Sequence, residues 1–164
     1  MEYLYLGRIV NTHGIRGEVR IISSFKYKDR AFQAGSKIYI GKNHDEERIV
    51  TYRVHKNFDM ITMDGITNIN DVLKYKGKNV FIKRSDLILE DGEFLDEDLI
   101  GMNVIISGKI VGVVVKIEKD KHQDKIVVNK EGKDYLVPYV YDIIKSINLE
   151  ERSITLEDIK GLLD

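Results

Sequence analysis

The sequence contains no cysteine, a single proline and no long run of apolar residues. Without cysteine, the chain has no disulfide, no thiolate zinc site and no cysteine nucleophile. No apolar run approaches the roughly 18 residues of a membrane-spanning helix, and Met1 is followed by Glu2 rather than by the basic start of a signal peptide. These absences predict a soluble, cytoplasmic protein.

Net charge is also nearly absent, because 26 basic residues face 27 acidic residues and leave a total of −1. The total hides an uneven distribution. Residues 1–84 carry 16 basic and 9 acidic side chains, a net of +7, whereas residues 85–164 carry 10 basic and 18 acidic side chains, a net of −8. This asymmetry predicts different partners for the two halves.

Short β-branched runs recur along the chain and predict an all-β protein. Strands are predicted at residues 4–10, 18–22, 37–40, 48–56, 60–63, 79–83, 102–106, 109–117, 125–129, 135–137, 143–148 and 153–156. Short helices are predicted at residues 70–75 and 158–163. Both faces of strand 109–117 are apolar, which predicts the most buried strand of its half.

The acidic segment from Glu90 to Asp98, which is interrupted by Gly92, predicts a linker between two domains. The predicted organisation is two small β-barrels, each with at most a short helix, joined by a short acidic linker. The predicted bounds are residues 1–84 for the first barrel, 85–93 for the linker and 94–164 for the second barrel.

Catalytic motifs are absent from the sequence. It has no phosphate-binding glycine loop, no H-E-x-x-H zinc motif and no G-x-S-x-G nucleophile elbow. The loop from Asp120 to Asp124 contains potential metal ligands but not the glycine-turned carboxylate series of a hard-ion site, so we interpret it as a solvated hairpin tip. We therefore predict no catalytic residues, no metal and no cofactor.

The loop around residues 13–17 is the most distinctive segment. Gly14 and Gly17 bracket Ile15 and Arg16, and a tight turn with positive φ at both glycines would expose Arg16. Arginine forks onto phosphate oxygens, so the loop suits nucleic acid. A plain β-turn with solubilising arginines explains the same residues, and the sequence pattern alone leaves both interpretations open.

This segment resembles the opening signature of the RimM family of ribosome maturation factors. The similarity extends over nearly the whole chain and rests on residues 6–9, 13–20, 65–66, 71–73, 77, 92, 98–101, 112–114 and 136–139. It implies a translation-factor-like barrel followed by a PRC-barrel. It also implies a non-enzymatic assembly factor that binds the free 30S subunit and assists 16S rRNA processing and maturation of the 30S head. We expect the protein to be a monomer.

The resemblance, together with the charge split, implies candidate binding residues in both halves. Those for ribosome and rRNA binding are Arg8, His13, Gly14, Ile15, Arg16, Gly17, Arg20, Lys26, Lys28 and Arg30. Those for binding a basic head protein, the small-subunit protein numbered nineteen, are Phe94, Leu95, Asp96, Asp98, Tyr139 and Tyr141. No partner in a membrane is expected.

The sequence departs from the family at residues 94–96. The family often carries two adjacent tyrosines and a tryptophan there, whereas this chain has Phe94, Leu95 and Asp96. Phe94 and Leu95 either pin the linker to the second barrel's core or form an apolar anchor for the partner. Core packing and exposure are likewise both open for Tyr139 and Tyr141.

Two other functions fit the composition less well. An RNA-processing or RNA-modifying enzyme acting on precursor rRNA is the alternative, with its chemistry assembled from scattered carboxylates. A membrane-surface adaptor is disfavoured because the −8 half would be repelled by anionic lipids.

Overall fold

The structure is a computed structural model that describes residues 2–164. The chain divides into two compact units, one ending at Leu89 and the other beginning at Glu90. Strands account for 47% of the residues and helical turns for 10%. The predicted class, an all-β chain of two small β-barrel domains, is confirmed. No helix within residues 2–164 is long and apolar enough to cross a membrane.

The first unit is a closed barrel with the strand order β1-β2-β5-β4-β3-β6. Its elements, in chain order, are β1 (Tyr3–His13), β2 (Glu18–Ile22), α1 (Lys28–Ala31), β3 (Lys37–Ile40), β4 (Asp45–His55), β5 (Phe58–Met63), the 3₁₀ turns η1 (Ile69–Asp71) and η2 (Leu73–Tyr75), β6 (Asn79–Lys83) and the 3₁₀ turn η3 (Arg84–Asp86). The helix predicted at residues 70–75 is therefore two short 3₁₀ turns. The Asn68 side chain caps the first of them by accepting a hydrogen bond from the backbone of Asn70 at 2.9 Å.

Alternation along the strands fills the barrel with aliphatic side chains. Leu6, Ile9, Val19 and Ile21 are all at most 1% exposed. Gly7 lies at a register shift between β1 and β6, where a Cβ atom would stand 2.2 Å from the carbonyl oxygen of Ile22. Only glycine permits this close approach of two strands.

The second unit is a six-stranded sheet with the order β10-β9-β8-β7-β12-β11. Its elements are the 3₁₀ turn η4 (Asp96–Leu99), β7 (Asn103–Ile106), β8 (Lys109–Glu118), β9 (Lys125–Lys130), β10 (Lys133–Pro138), β11 (Ile144–Asn148) and β12 (Ser153–Leu156). The β7–β12 pair is parallel and the other pairs are antiparallel. Leu99, Met102, Val104 and Val137 lie at the centre of its core.

The prediction that strand 109–117 is the most buried of its half is wrong. On β8 only Val114 is buried, whereas Ile110 is 64% exposed and Val115 is 42% exposed. Register shifts leave one extra β8 residue opposite the Val104–Ile105 step and another opposite the Val127–Val128 step. These bulges break the two-residue alternation, so the apolar positions do not form two buried faces.

The predicted terminal helix at residues 158–163 is also not formed. Gly161 adopts a φ of 88°, and the segment makes a turn instead. Leu163 nevertheless joins the core of the second unit, and its carbonyl oxygen accepts a hydrogen bond from Lys130 Nζ at 3.0 Å.

Candidate nucleic-acid interface

The loop between β1 and β2 has the geometry that its glycines predict. Gly14 and Gly17 adopt φ angles of 68° and 88°, and the last cross-strand pair before the loop joins His13 to Glu18. The loop exposes Arg16 and leaves Ile15 77% exposed. It therefore presents one cation and one apolar side chain to solvent.

The base of this loop is pinned to the segment before η1. The Ile69 N–H group donates to the carbonyl oxygen of Ile15 at 3.0 Å. A Cβ atom on Gly17 would lie 3.1 Å from Ile66 Cγ2 and 3.2 Å from the Asn68 carbonyl oxygen. The loop backbone on both sides of Arg16 is thus held in place, which reduces the backbone entropy that a ligand must remove.

Arg20 lies beside the loop in a partly buried setting. Its Nη2 atom is 2.7 Å from His13 Nδ1, and its guanidinium carbon lies 5.6 Å from the centre of the Phe58 ring. Because a guanidinium only donates, His13 Nδ1 accepts this hydrogen bond. Within residues 2–164, the buried Nε of Arg20 has no hydrogen-bond partner. Arg20 and His13 are both among the predicted binding residues, and the structure brings these two side chains into contact.

The hairpin from β4 to β5 adds basic residues that the sequence analysis missed. Arg53 forms a two-pronged ion pair with Glu18, with distances of 2.9 Å and 2.8 Å. His55 lies with its ring centre 5.7 Å from that of His13, and the exposed Lys56 follows it. The sequence shows that Arg53, His55 and Lys56 form a short basic cluster, which could have marked them as candidates. Only the β2–β5–β4 pairing places this cluster beside the loop.

Two pKa shifts describe the charge of this end of the barrel. The hydrogen bond from Arg53 lowers the pKa of Glu18 below its ordinary value. Burial lowers the pKa of His55, and the cations of Arg53 and Lys56 lower it further. Glu18 is therefore ionised and neutralises Arg53, while His55 is neutral near pH 7.

We call the group Arg16, Arg20, Arg53, His55 and Lys56 the basic loop surface. Glu18 is the carboxylate that pairs with this group, through Arg53. The positive charges of Arg16, Arg20 and Lys56 therefore remain in excess. Guanidinium groups donate in a fork that matches phosphate oxygens. The arrangement can bind a nucleic-acid backbone without reading its base sequence.

The other predicted cations of the first unit lie elsewhere. Arg8 is exposed on β1, five residues before His13, or about 16 Å along an extended strand. Lys28 donates to Asp59 at 3.0 Å, and Asp59 is only 2% exposed. Lys28 is therefore committed to a buried carboxylate rather than directed at a partner.

Lys26 precedes the short helix α1, and Arg30 lies within it. Lys26 Nζ lies 5.4 Å from the centre of the Tyr27 ring, and the Arg30 guanidinium lies 5.0 Å from it. Arg30 also approaches the carbonyl oxygen of Ile88 at 3.4 Å. The structure thus separates the predicted set into the loop residues, Arg8 and a group around α1.

In the second unit, the residues at the family's tyrosine positions face inward. Leu95 is 3% exposed, and its N–H group donates to Asp98 Oδ2 at 2.9 Å. Phe94 is partly buried and packs against the core of the second unit. Both residues therefore have a structural role, and Leu95 has no surface to offer a partner.

The remaining predicted residues of this unit differ in accessibility. Asp96 accepts hydrogen bonds from Lys119 and from the hydroxyl of the half-buried Tyr139. Burial and the nearby Asp96 charge raise the pKa of Tyr139 to about 12. Tyr141 is 99% exposed, and both tyrosines lie beyond the end of β10 at Pro138.

No group of three or more histidine, aspartate or glutamate side chains suited to a metal ion occurs in the described part of the chain, residues 2–164.

Two family models match this chain in succession. Residues 4–87 match the RimM N-terminal domain, and residues 96–162 match the RimM PRC barrel domain. A protein from Halalkalibacterium halodurans named ribosome maturation factor RimM is 37% identical, and the match covers 99% of each chain. The protein of the same name from Staphylococcus haemolyticus is 40% identical, with 97% of this chain and 98% of that one covered.

A solved structure is also similar. It is the crystal structure of a RimM protein from Pseudomonas aeruginosa, with 22% identity and a TM-score of 0.48 over 95% of this chain and 97% of that one.

Proposed function

Because the chain belongs to the RimM family of ribosome maturation factors, which act in ribosome assembly, we propose that it binds the free 30S subunit. In this proposal it assists 16S rRNA processing and the maturation of the 30S head. It acts by binding and catalyses no reaction.

The basic loop surface is the observation that carries the RNA-binding part of the proposal. The exposed Arg16 stands on a pinned loop, and Lys56 extends the positive charge onto the neighbouring hairpin. The first half of the chain carries a net charge of +7, which attracts a polyanion from a distance. Phosphate contacts of this kind position a protein on rRNA and weaken steeply with salt.

The second unit suits a different partner. Residues 85–164 carry a net charge of −8, and Tyr141 is 99% exposed. An acidic surface with an accessible aromatic side chain favours a basic protein, for which charge complementarity raises the association rate. We infer that this unit contacts the basic head protein numbered nineteen, as the family resemblance implies. By holding rRNA and this protein together, the factor would restrain the maturing head.

Co-sedimentation with purified 30S, 50S and 70S particles at two salt concentrations tests the proposal. The wild-type protein is expected to be retained by free 30S subunits alone. The double variant Arg16→Gln/Lys56→Gln is expected to bind more weakly, with the slope of log K against log salt reduced by about one for each lost phosphate contact.

Lys109→Gln is the matched control, because Lys109 is an exposed lysine of the acidic unit. It is expected to leave 30S retention unchanged. Equal retention on the three particles would contradict the proposed partner. An unchanged salt slope in the double variant would contradict the role of the basic loop surface.

The absence of catalysis has its own test. The pure protein is expected to leave precursor 16S rRNA uncut and unmodified in the presence of divalent metal ions. Cleavage or modification that disappears after substitution of one carboxylate pair would instead favour an RNA-processing enzyme.

A further inference from the structure

The outer face of the first barrel carries a cluster of aromatic rings across three neighbouring strands. Tyr5 on β1 is the cross-strand partner of Phe81 on β6, and Phe81 is the partner of Tyr39 on β3. The alternate β6 positions, Val80 and Ile82, point into the core. The three aromatic residues therefore share the outward side of the sheet, where barrels normally place polar side chains.

The rings are arranged around Phe81. Tyr5 meets it edge-on with 6.0 Å between ring centres, and His44 meets it edge-on at 5.1 Å. His44 itself stacks on Tyr3, with ring centres 3.9 Å apart and planes inclined by 2°. Tyr39 lies underneath and is 3% exposed, whereas Tyr5 is 54% exposed. The cluster therefore combines an accessible ring, that of Tyr5, with a buried ring, that of Tyr39.

A cavity opens beside these rings. Its volume is ≈ 590 Å³, and Phe81, His44, Lys42 and Lys78 line it together with Asp45. This volume falls within the range of roughly 300–1,000 Å³ that is typical of small-ligand sites. One wall is thus aromatic, and the lysines supply positive charge.

Lys78 packs at this cavity against the backbone of Gly41. Gly41 has a φ of 76°, and its N–H group donates to the Asn79 carbonyl oxygen at 2.9 Å. A Cβ atom on Gly41 would lie 3.1 Å from Lys78 Cδ, so the Lys78 stem crosses directly over the glycine. Among residues 2–164, Asp45 is the one carboxylate that lines the cavity, and Lys42 and Lys78 supply two positive charges against it.

We propose that this aromatic–lysine surface, made of Tyr5, His44, Phe81, Lys42 and Lys78, binds a nucleotide of single-stranded RNA. The base stacks on the Phe81 ring, beside the edge-on Tyr5 ring, and the adjoining phosphate contacts the two lysines. Aromatic side chains beside a positively charged groove are the arrangement that single-stranded nucleic acids use. An acidic peptide would use the lysines and leave the rings uncovered, and an apolar protein surface would leave the lysines buried without a counter-charge.

The proposal rests on the proposed function in one respect, because rRNA is the RNA expected to supply this nucleotide. Tyr5 and His13 are eight residues apart on β1, so this surface lies about 25 Å from the basic loop surface along the strand. The basic loop surface would contact the backbone of any RNA, whereas the aromatic–lysine surface requires an unstacked base. Together they would favour rRNA that is still partly unfolded.

Fluorescence anisotropy of the full-length protein with labelled 12-nucleotide oligouridylate and oligoadenylate tests the proposal, with a 12-base-pair RNA duplex measured in parallel. Phe81→Leu keeps an apolar side chain but removes the ring. It is expected to weaken binding of the single strands by roughly 5- to 150-fold, as loss of base stacking does, and to leave duplex binding unchanged. Thermal melting verifies that the variant is folded.

The lysines are tested by salt dependence. Lys42→Gln and Lys78→Gln are each expected to reduce the slope of log K against log salt by about 0.7, the value for one phosphate contact of a single strand. Arginine at both positions is expected to restore the slope. Leu73→Ala is the control, because Leu73 is a 51% exposed apolar residue of the same unit outside the cavity.

Unchanged binding of the single strands by folded Phe81→Leu, or an equal loss on the duplex, would overturn the proposal. AMP binding as tight as oligonucleotide binding would also overturn it, since a free nucleotide would then suffice. The same variants in the 30S sedimentation assay separate the two hypotheses. Phe81-dependent binding of single strands without 30S retention of the wild type would support this surface and refute the proposed 30S partner.

Discussion

Removal of the Asp59 carboxylate should unfold the first barrel more readily, although Asp59 lies outside both proposed binding surfaces. Asp59 is 2% exposed and accepts hydrogen bonds from the Tyr52 hydroxyl at 2.6 Å and from Lys28 Nζ at 3.0 Å. The Tyr52 ring stacks on the buried Phe32 ring with 5.6 Å between their centres, so its hydroxyl cannot turn freely to water. The Lys28 side chain is 36% exposed and can recover hydration.

These contacts set the expected magnitude for Asp59→Ala. An orphaned, partly buried hydroxyl costs about 1–3 kcal/mol. The lost pair with the partly exposed Lys28 adds ~0–1 kcal/mol. The total is about 1–4 kcal/mol, which corresponds to a fall of roughly 4–30 °C in the melting temperature of a domain of this size.

Calorimetry of the full chain measures this effect, because the transition of the first unit can be followed beside that of the second. The double variant Asp59→Ala/Tyr52→Phe removes both the acceptor and the orphaned hydroxyl. It is expected to recover about 1 kcal/mol relative to Asp59→Ala alone. A loss below about 0.5 kcal/mol for Asp59→Ala would refute the reasoning, because that is the range of surface substitutions.

Three further predictions concern the site and its support. Arg53→Gln should lower the melting temperature at pH 7, and the difference should vanish in acid. The reason is that Arg53 depresses the folded-state pKa of Glu18, so the stability it contributes is present above the unfolded pKa and is lost as the pH falls through the folded pKa. Gly17→Ala should destabilise the protein in urea by at least ~1–2 kcal/mol, since it adds left-handed strain to contacts of 3.1–3.2 Å. Leu95→Ala should cost about 2–5 kcal/mol in urea unfolding, whereas Tyr141→Ala should stay within ~0.5 kcal/mol and reduce only binding of the basic head protein.

Each of these predictions has a control or a contradictory outcome. A difference between wild type and Arg53→Gln that is constant from pH 7 to pH 3 would contradict the assignment of the pKa shift. Gly14→Ala is the control for the loop, because Gly14 has a φ of 68° but no atom within 4 Å of the added Cβ. It should therefore cost less than Gly17→Ala. Equal stability losses for Leu95→Ala and Tyr141→Ala would contradict the burial difference.

The candidate site was predictable where its geometry is local. The conformation of the β1–β2 loop follows from Gly14 and Gly17, whose positive φ angles are confirmed, and the exposure of Arg16 follows from the loop. The addition of Arg53 and Lys56 was not predictable, because those residues lie on a hairpin brought to the loop by the β2–β5 and β4–β5 ladders. β2 and β5 are about 40 residues apart in the chain, and no periodic pattern in the sequence indicates that they pair.

Predicted burial failed where the strands are irregular. An alternating pattern identifies two faces only if the register is continuous, and β8 carries two bulges. The aromatic surface of the first barrel escaped the sequence analysis for a related reason. Tyr5, Tyr39 and Phe81 are separated by dozens of residues, and only the β1–β6 and β3–β6 ladders place their rings together.

The sequence by itself determined the all-β class, the RimM family and the tight loop that presents Arg16. Each of these depends on local spacing, on glycine φ angles or on motif order. Only the tertiary structure decided that Lys28 is committed to Asp59, that Leu95 is buried and that Arg53 neutralises Glu18. These outcomes depend on which strands pair and in what register. Long-range packing sets that register, so the partner of a charged or apolar side chain is a property of the folded barrel and not of its neighbours in the chain.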